Sequence, residues 1–203
     1  FRTAIAILLS IIPLFSLFNV GIKSPAQISP ARIISPSPQT HIEKNRIADI
    51  DGMVQVHIPA GEFTMGADHG ATLDARPAHR VILDGFWIDR TEVTYSMYAL
   101  CVDAGLCTPP FVSYFSDLAF KDHAVMSVTW EQADGYCRGA GRRLPTEAEW
   151  EKAARGTDGR SYPWGNEKDC TRANYFGCED IGHNLAGKPV GSYPSGASPY
   201  GAL

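Results

Sequence analysis

The sequence predicts an α+β fold in which regular secondary structure is scarce. Three observations carry that prediction. Short apolar–polar alternations between residues 53 and 89 read as strands of a few residues each. Three later stretches open on helix-capping residues. Beyond residue 156 the chain is rich in Gly, Pro, Asn and aromatic residues, an irregular region that must be ordered by something besides backbone ladders.

Of 203 residues, 44% are hydrophobic, enough to bury one ordinary core and leave extra segments over. The net charge is -4, and no Lys/Arg cluster interrupts the folded part, so nucleic acid is not an expected partner. Both ends, "FRTAI" and "PYGAL", read as cut from a longer sequence.

Residues 1–22 carry one charged side chain, Arg2, and none follows it until Lys23. This is the layout of a secretory signal peptide or an N-terminal membrane anchor, with residues 3–22 as the anchoring run. No small-x-small cleavage site marks one over the other. The plainer alternative, a buried core helix, is opposed by Pro13, by the terminal position and by the linker composition of the next segment. Residues 23–50 are rich in proline and serine and poor in aromatics, an extended linker. The expected location is therefore outside the cytoplasm, secreted or membrane-anchored.

The folded domain is expected over residues 52–203. In "MVQVHIPAGEFTMG", Val54, Val56 and Ile58 share one side, and "PAG" turns the chain into a second strand as a hairpin. "HRVILDGFWID" reads as a second hairpin turning at Asp84-Gly85. Thr94 caps a helix that Gly105 ends in the left-handed conformation. Thr129 and Gln132 form a capping box for the next helix. The third, in "GRRLPTEAEWEKAARG", is boxed by Thr146 and Glu149 and stopped by Gly156; acidic residues fill its first turn and Arg155 its last. Trp150, Ala153 and Ala154 fall on one face, which makes Trp150 the expected core anchor.

Five cysteines in an exported chain suggest disulfides. Cys101/Cys107 and Cys170/Cys178 each close a short loop in a segment that cannot staple itself through a core. A four-Cys zinc site is the competing reading, but neither pair has C-x2-4-C spacing. Cys137 is left over, either a buried free thiol or one whose partner lies beyond Leu203. The histidines are scattered, "GSYPSG" lacks a strand–elbow–helix setting, and no phosphate loop is present. The segment 67–74, "ADHGATLD", is either a calcium loop or a polar surface loop. From chemistry alone the chain shows a scaffold and no active site.

The segments "MVQVHIPAGEFTMG", "RPAHRVILDGFWIDRTEVT", "SVTWEQADGYCRGAGRRLPTEAEWEKAARG", "YPWGNE" and "ANY" occur in one order. Together they resemble the sulfatase-modifying factor family, the formylglycine-generating enzyme type, over residues 52–203. The resemblance implies a C-type-lectin-like α+β fold and an oxidoreductase that converts a cysteine of a partner sulfatase to Cα-formylglycine with O₂. It implies copper(I) on a pair of C-terminal cysteines, soft ligands suited to that ion. No cysteine here matches that pair, so no catalytic residue carries over, and copper is expected only if such cysteines follow Leu203. It also implies a structural Ca²⁺ held by Asn174 and by the backbone carbonyl of Tyr175; the alternative is that Asn174 caps a turn. "GHNLAGKPVG" stands where longer members carry further acidic ligands. In some members the cysteine matching Cys137 pairs with a C-terminal one. The local pairs 101/107 and 170/178 resemble those of exported relatives without catalytic cysteines. The alternative function is thus a lectin-like module binding a surface protein or glycan. Iron-dependent sulfoxide synthases share the domain but need an upstream His-x3-His helical domain, for which residues 1–50 leave no room, although the sequence reads as cut ahead of them.

Overall fold

The computed structural model describes residues 44–68, 75–175, 178 and 187–203. The apolar run at 3–22, the linker as far as residue 43, residues 69–74 of the acidic loop and residues 182–186 of "GHNLAGKPVG" lie outside the described residues. Among the described residues no helix is long and apolar enough to cross a membrane.

Strands β1 (Asn45–Ile47), β2 (Val54–Ile58), β3 (Gly61–Met65), β4 (His79–Leu83) and β5 (Phe86–Asp89) are followed by helices α1 (Tyr95–Asp103), α2 (Trp130–Gly139) and α3 (Glu147–Arg155). One antiparallel sheet has the order β1-β2-β5, and β3 pairs with β4 in a second. β1 falls inside the segment read as linker, its Ile47 opposite Val54.

Neither expected hairpin exists. β2 pairs with β5 and β3 with β4, so both short corners cross between sheets. Alternation tells which face a strand buries and is silent about its partner. The physical cause lies in α3, where Lys152 Nζ donates to the carbonyls of Pro59 and Gly61 at 2.8 and 2.9 Å and pins the β2–β3 corner to the helix. The Asp84–Gly85 corner packs on the same place: a Cβ at Gly85 would lie 3.3 Å from the Ala60 amide nitrogen.

The helix boundaries follow the capping residues. Thr94 accepts the Met97 amide, and the boxes Thr129/Gln132 and Thr146/Glu149 are both closed. Gly105 and Gly156 sit at φ 72° and 74°, where only glycine is unstrained. The buried face of α3 differs from expectation. Trp150 is 62% exposed, while Glu149, Lys152 and Ala153 are buried. A pattern that counts only apolar residues misses a helix whose inward charges are satisfied: Arg143 embraces Glu149 with both terminal nitrogens, and two carbonyls hold Lys152.

The core forms two clusters. Tyr98, Cys101, Tyr136, Cys137 and Ala140 pack between α1 and α2, with the Tyr98 and Tyr136 rings stacked at 5.6 Å. Val56, Ile58 and Ala153 join sheet and α3, covered by Phe86, Ile88 and Tyr200.

Candidate functional site

Between the clusters lies a buried ion network. Asp51, in the turn between β1 and β2, receives the Met53 amide, the Tyr136 hydroxyl at 2.5 Å and both terminal nitrogens of Arg142. Arg142 Nε faces Asp89 Oδ1 at 3.3 Å without hydrogen-bond alignment, and Asp89 receives Gln55 Nε2 at 2.8 Å. The register that sets Gln55 opposite Asp89 puts both on one face. One arginine from the α2–α3 junction thus ties the β1–β2 turn to β5.

Burial raises the Asp51 carboxyl, but the bonds from Arg142, Tyr136 and Met53 outweigh it and hold it at about 2. Asp89 is shifted the other way, upward by burial against the pull of Arg142. The signs give a pH prediction. Asp51, depressed in the fold, stabilises fully above its ordinary value near 3.8, and that contribution disappears as pH falls toward 2. Asp89, raised in the fold, offsets part of the loss. Urea midpoints between pH 5 and 2 should show roughly 2 kcal/mol of Asp51-dependent loss, and Asp51→Asn should lack that part of the slope. An unaltered slope would remove Asp51 from the network.

A surface cavity of ≈ 340 Å³ lies elsewhere, with Glu92, Trp164, Arg172, Asn174, Lys188 and Tyr193 in its wall. Trp164 is fixed by stacking on Tyr162 at 5.3 Å and by donating Nε1 to the Glu167 carbonyl at 2.9 Å. Arg172 is clamped by Asp169 Oδ2 at 2.7 Å and by the Ser195 carbonyl at 2.8 Å. Hydrogen bonds from Thr171 and Arg172 hold the Asp169 carboxyl at about 2. The wall therefore mixes fixed aromatic surface with both signs of charge, a lining suited to a short polar chain. Apart from Asn174, sequence reasoning missed these residues. "YPWGNE" offers a signal, since aromatic residues in a tight Gly/Pro turn are candidates for a fixed binding surface.

The cysteines are accounted for. Cys101–Cys107 and Cys170–Cys178 are disulfides with Cα separations of 5.3 and 5.5 Å. Cys137 is free and buried; burial, reinforced by Asp89, pushes its thiol up to about 11, so it is neutral at ordinary pH.

Residues 38–203 match the family model described as the sulfatase-modifying factor enzyme 1-like domain. The chain belongs to that family. This sulfatase-modifying factor-type domain is 34% identical over 166 residues to the serine/threonine-protein kinase pkn1 of Chlamydia pneumoniae, covering 72% of this chain and 25% of that protein. It is 32% identical over 185 residues to the formylglycine-generating enzyme of Streptomyces coelicolor, covering 68% of this chain and 57% of the enzyme. Against both, the chain spans less than two thirds of the relative's length. The structure of PvdO from Pseudomonas aeruginosa superposes with a TM-score of 0.61 at 24% identity, over 78% of this chain and 69% of that one. The fold is accordingly the α+β, C-type-lectin-like fold of the family.

The metals that the family suggests find a different fit at each candidate set. Asn174 is exposed in the cavity wall and Tyr175 is half-buried beside it. They offer two oxygens where Ca²⁺ takes six to eight. Among the described residues no three or more His, Cys, Asp or Glu side chains converge as a metal site, and the adjoining residues 176–177 and 179–186 are outside the described set. For copper(I) the fit fails among these five cysteines: four are oxidised in pairs, and the fifth is a buried neutral thiol. No thiolate pair results.

Proposed function

We propose that this domain is the scaffold and recognition cavity of a formylglycine-generating oxidoreductase, which takes a cysteine-bearing peptide segment of a sulfatase as substrate. The observation that carries the reading is the ≈ 340 Å³ cavity, with Trp164 and Tyr193 beside Glu92, Arg172 and Lys188. It has room for a few residues of extended peptide and groups to pair with both its charges and its apolar side chains. The copper-binding thiolates belong to cysteines other than these five. The state of the five favours a second reading, a non-catalytic lectin-like module that binds a surface protein or glycan. Incubation of the full-length protein, with the cysteines that follow this domain, with copper(I), O₂ and a Cys-x-Pro-x-Arg peptide separates the two. Mass spectrometry should find the thiol replaced by an aldehyde; a peptide that is bound and returned unchanged rejects the enzyme and leaves the module.

Calcium at Asn174 and Tyr175 belongs to the same proposal. A cation bound only by the native state stabilises it, by about 2.7 kcal/mol when its concentration is a hundredfold above Kd. Chelation should therefore lower Tm by several degrees, and Asn174→Ala should abolish that response. An identical Tm with and without chelator removes both residues from a metal site. The two disulfides support placing the domain outside the cytoplasm, where residues 3–22 serve either as an export signal or as an anchor.

A further inference from the structure

Exposed apolar side chains converge at one place away from the cavity. Ile50, Leu100 and Leu106 are 62%, 56% and 60% exposed, yet all three line one groove of ≈ 60 Å³, above the buried Cys101, Tyr136 and Ala140. The groove sits on a rigid platform. The Cys101–Cys107 disulfide closes the corner that carries Leu106, and the Leu106 and Cys107 amides both donate to the Cys101 carbonyl. Leu106 lies directly on α2, where a Cβ on Gly139 would come within 3.3 Å of its Cδ1. Ile50 reaches the α2–α3 junction in the same way, 3.7 Å from where Gly141 would carry a Cβ. Large aliphatic side chains held outward by a disulfide and close glycine contacts mark a surface that meets another phase or molecule.

We propose that this groove rests in the interface of a zwitterionic lipid bilayer and holds that face of the domain against the membrane. Three features favour lipid. Ile50 lies a few residues after Lys44, where the described domain begins, and residues 23–43 separate it from the uncharged run at 3–22. At full extension that stretch reaches at most about 75 Å, so an anchor in the run leaves this corner of the domain within reach of the bilayer. The exposed charges next in sequence, Asp49 and Asp103, are acidic, which disfavours anionic headgroups. Three side chains also fall well short of the roughly 800 Å² per partner of a stable protein interface, whereas interfacial insertion needs no shaped partner.

The inference rests on the anchoring reading, and the experiment separates them. The full chain carrying photoreactive p-benzoylphenylalanine at Leu106 is mixed with phosphatidylcholine vesicles, floated on a density gradient and irradiated. Flotation reports the anchor, and the adduct mass reports the groove. A floated chain with a phosphatidylcholine adduct is expected. In the pair Ile50→Ser and Leu100→Ser, the adduct should fall by about tenfold or more while flotation and the far-ultraviolet dichroism stay unchanged. A floated chain with no lipid adduct overturns the docking alone, as does a covalent dimer, which would assign the groove to a second copy. A chain that does not float overturns the anchor and the docking together.

Discussion

Arg142→Ala should unfold this domain more readily than other single changes in its core, by about 3–5 kcal/mol. The substitution leaves Asp51, with a side chain only 3% exposed, and the half-buried Asp89 without their shared cation. It also strips Asp51 of two of its four hydrogen bonds. Neither carboxylate can move to water without giving up its remaining partners, the Tyr136 hydroxyl and the Met53 amide for Asp51 and Gln55 for Asp89. Arg142→Lys should recover part of the loss, because an ammonium restores the charge but cannot reach Asp51 with two nitrogens and Asp89 with a third. Urea unfolding at pH 7 checks both variants. A loss below about 1 kcal/mol would mean that the network contributes like a surface pair.

Gly196→Ala should cost about 3 kcal/mol, at the upper end of overpacking. Gly196 is buried in the 3₁₀ turn Pro194–Gly196 behind the cavity. A Cβ there would stand 1.8 Å from the Arg172 carbonyl oxygen and 2.9 Å from its carbon, so backbone has to move. The movement pulls Arg172 from the Ser195 carbonyl and deforms the wall that also carries Asn174. Peptide affinity should fall with stability in this variant. An alanine tolerated within about 0.5 kcal/mol would show that the turn and Arg172 are not packed as described.

Legibility in the sequence divides along physical lines. Helix starts and stops are readable because a cap is local: Thr94, Thr129 with Gln132, and Thr146 with Glu149 satisfy amides within three residues. Strand partners are not, because pairing depends on contacts far along the chain, such as Lys152 holding the carbonyls of Pro59 and Gly61. Trp150 is misassigned for a related reason: hydrophobic periodicity cannot foresee that a lysine and a glutamate will be the better-satisfied inward residues. The same blindness hides the ion network. Nothing local in "GRRLP" marks Arg142 as the residue that closes on Asp51, 91 residues distant in the chain. Of the cavity, only Asn174 is legible, and that through the resemblance.

With short strands and a long irregular tail, the described residues have only short ladders to hold the domain. Its stretch "CRGAGRRLPTEAEWEKAARG" supplies the substitute, buried charges that fasten distant turns, and not the chemistry. A double-mutant cycle on Asp51→Ala and Arg142→Ala tests this most directly. If the network acts as one unit, the double variant should be little worse than Arg142→Ala alone, with a coupling of about 2 kcal/mol or more. Losses that simply add would contradict it and return the stability of the fold to its two apolar clusters.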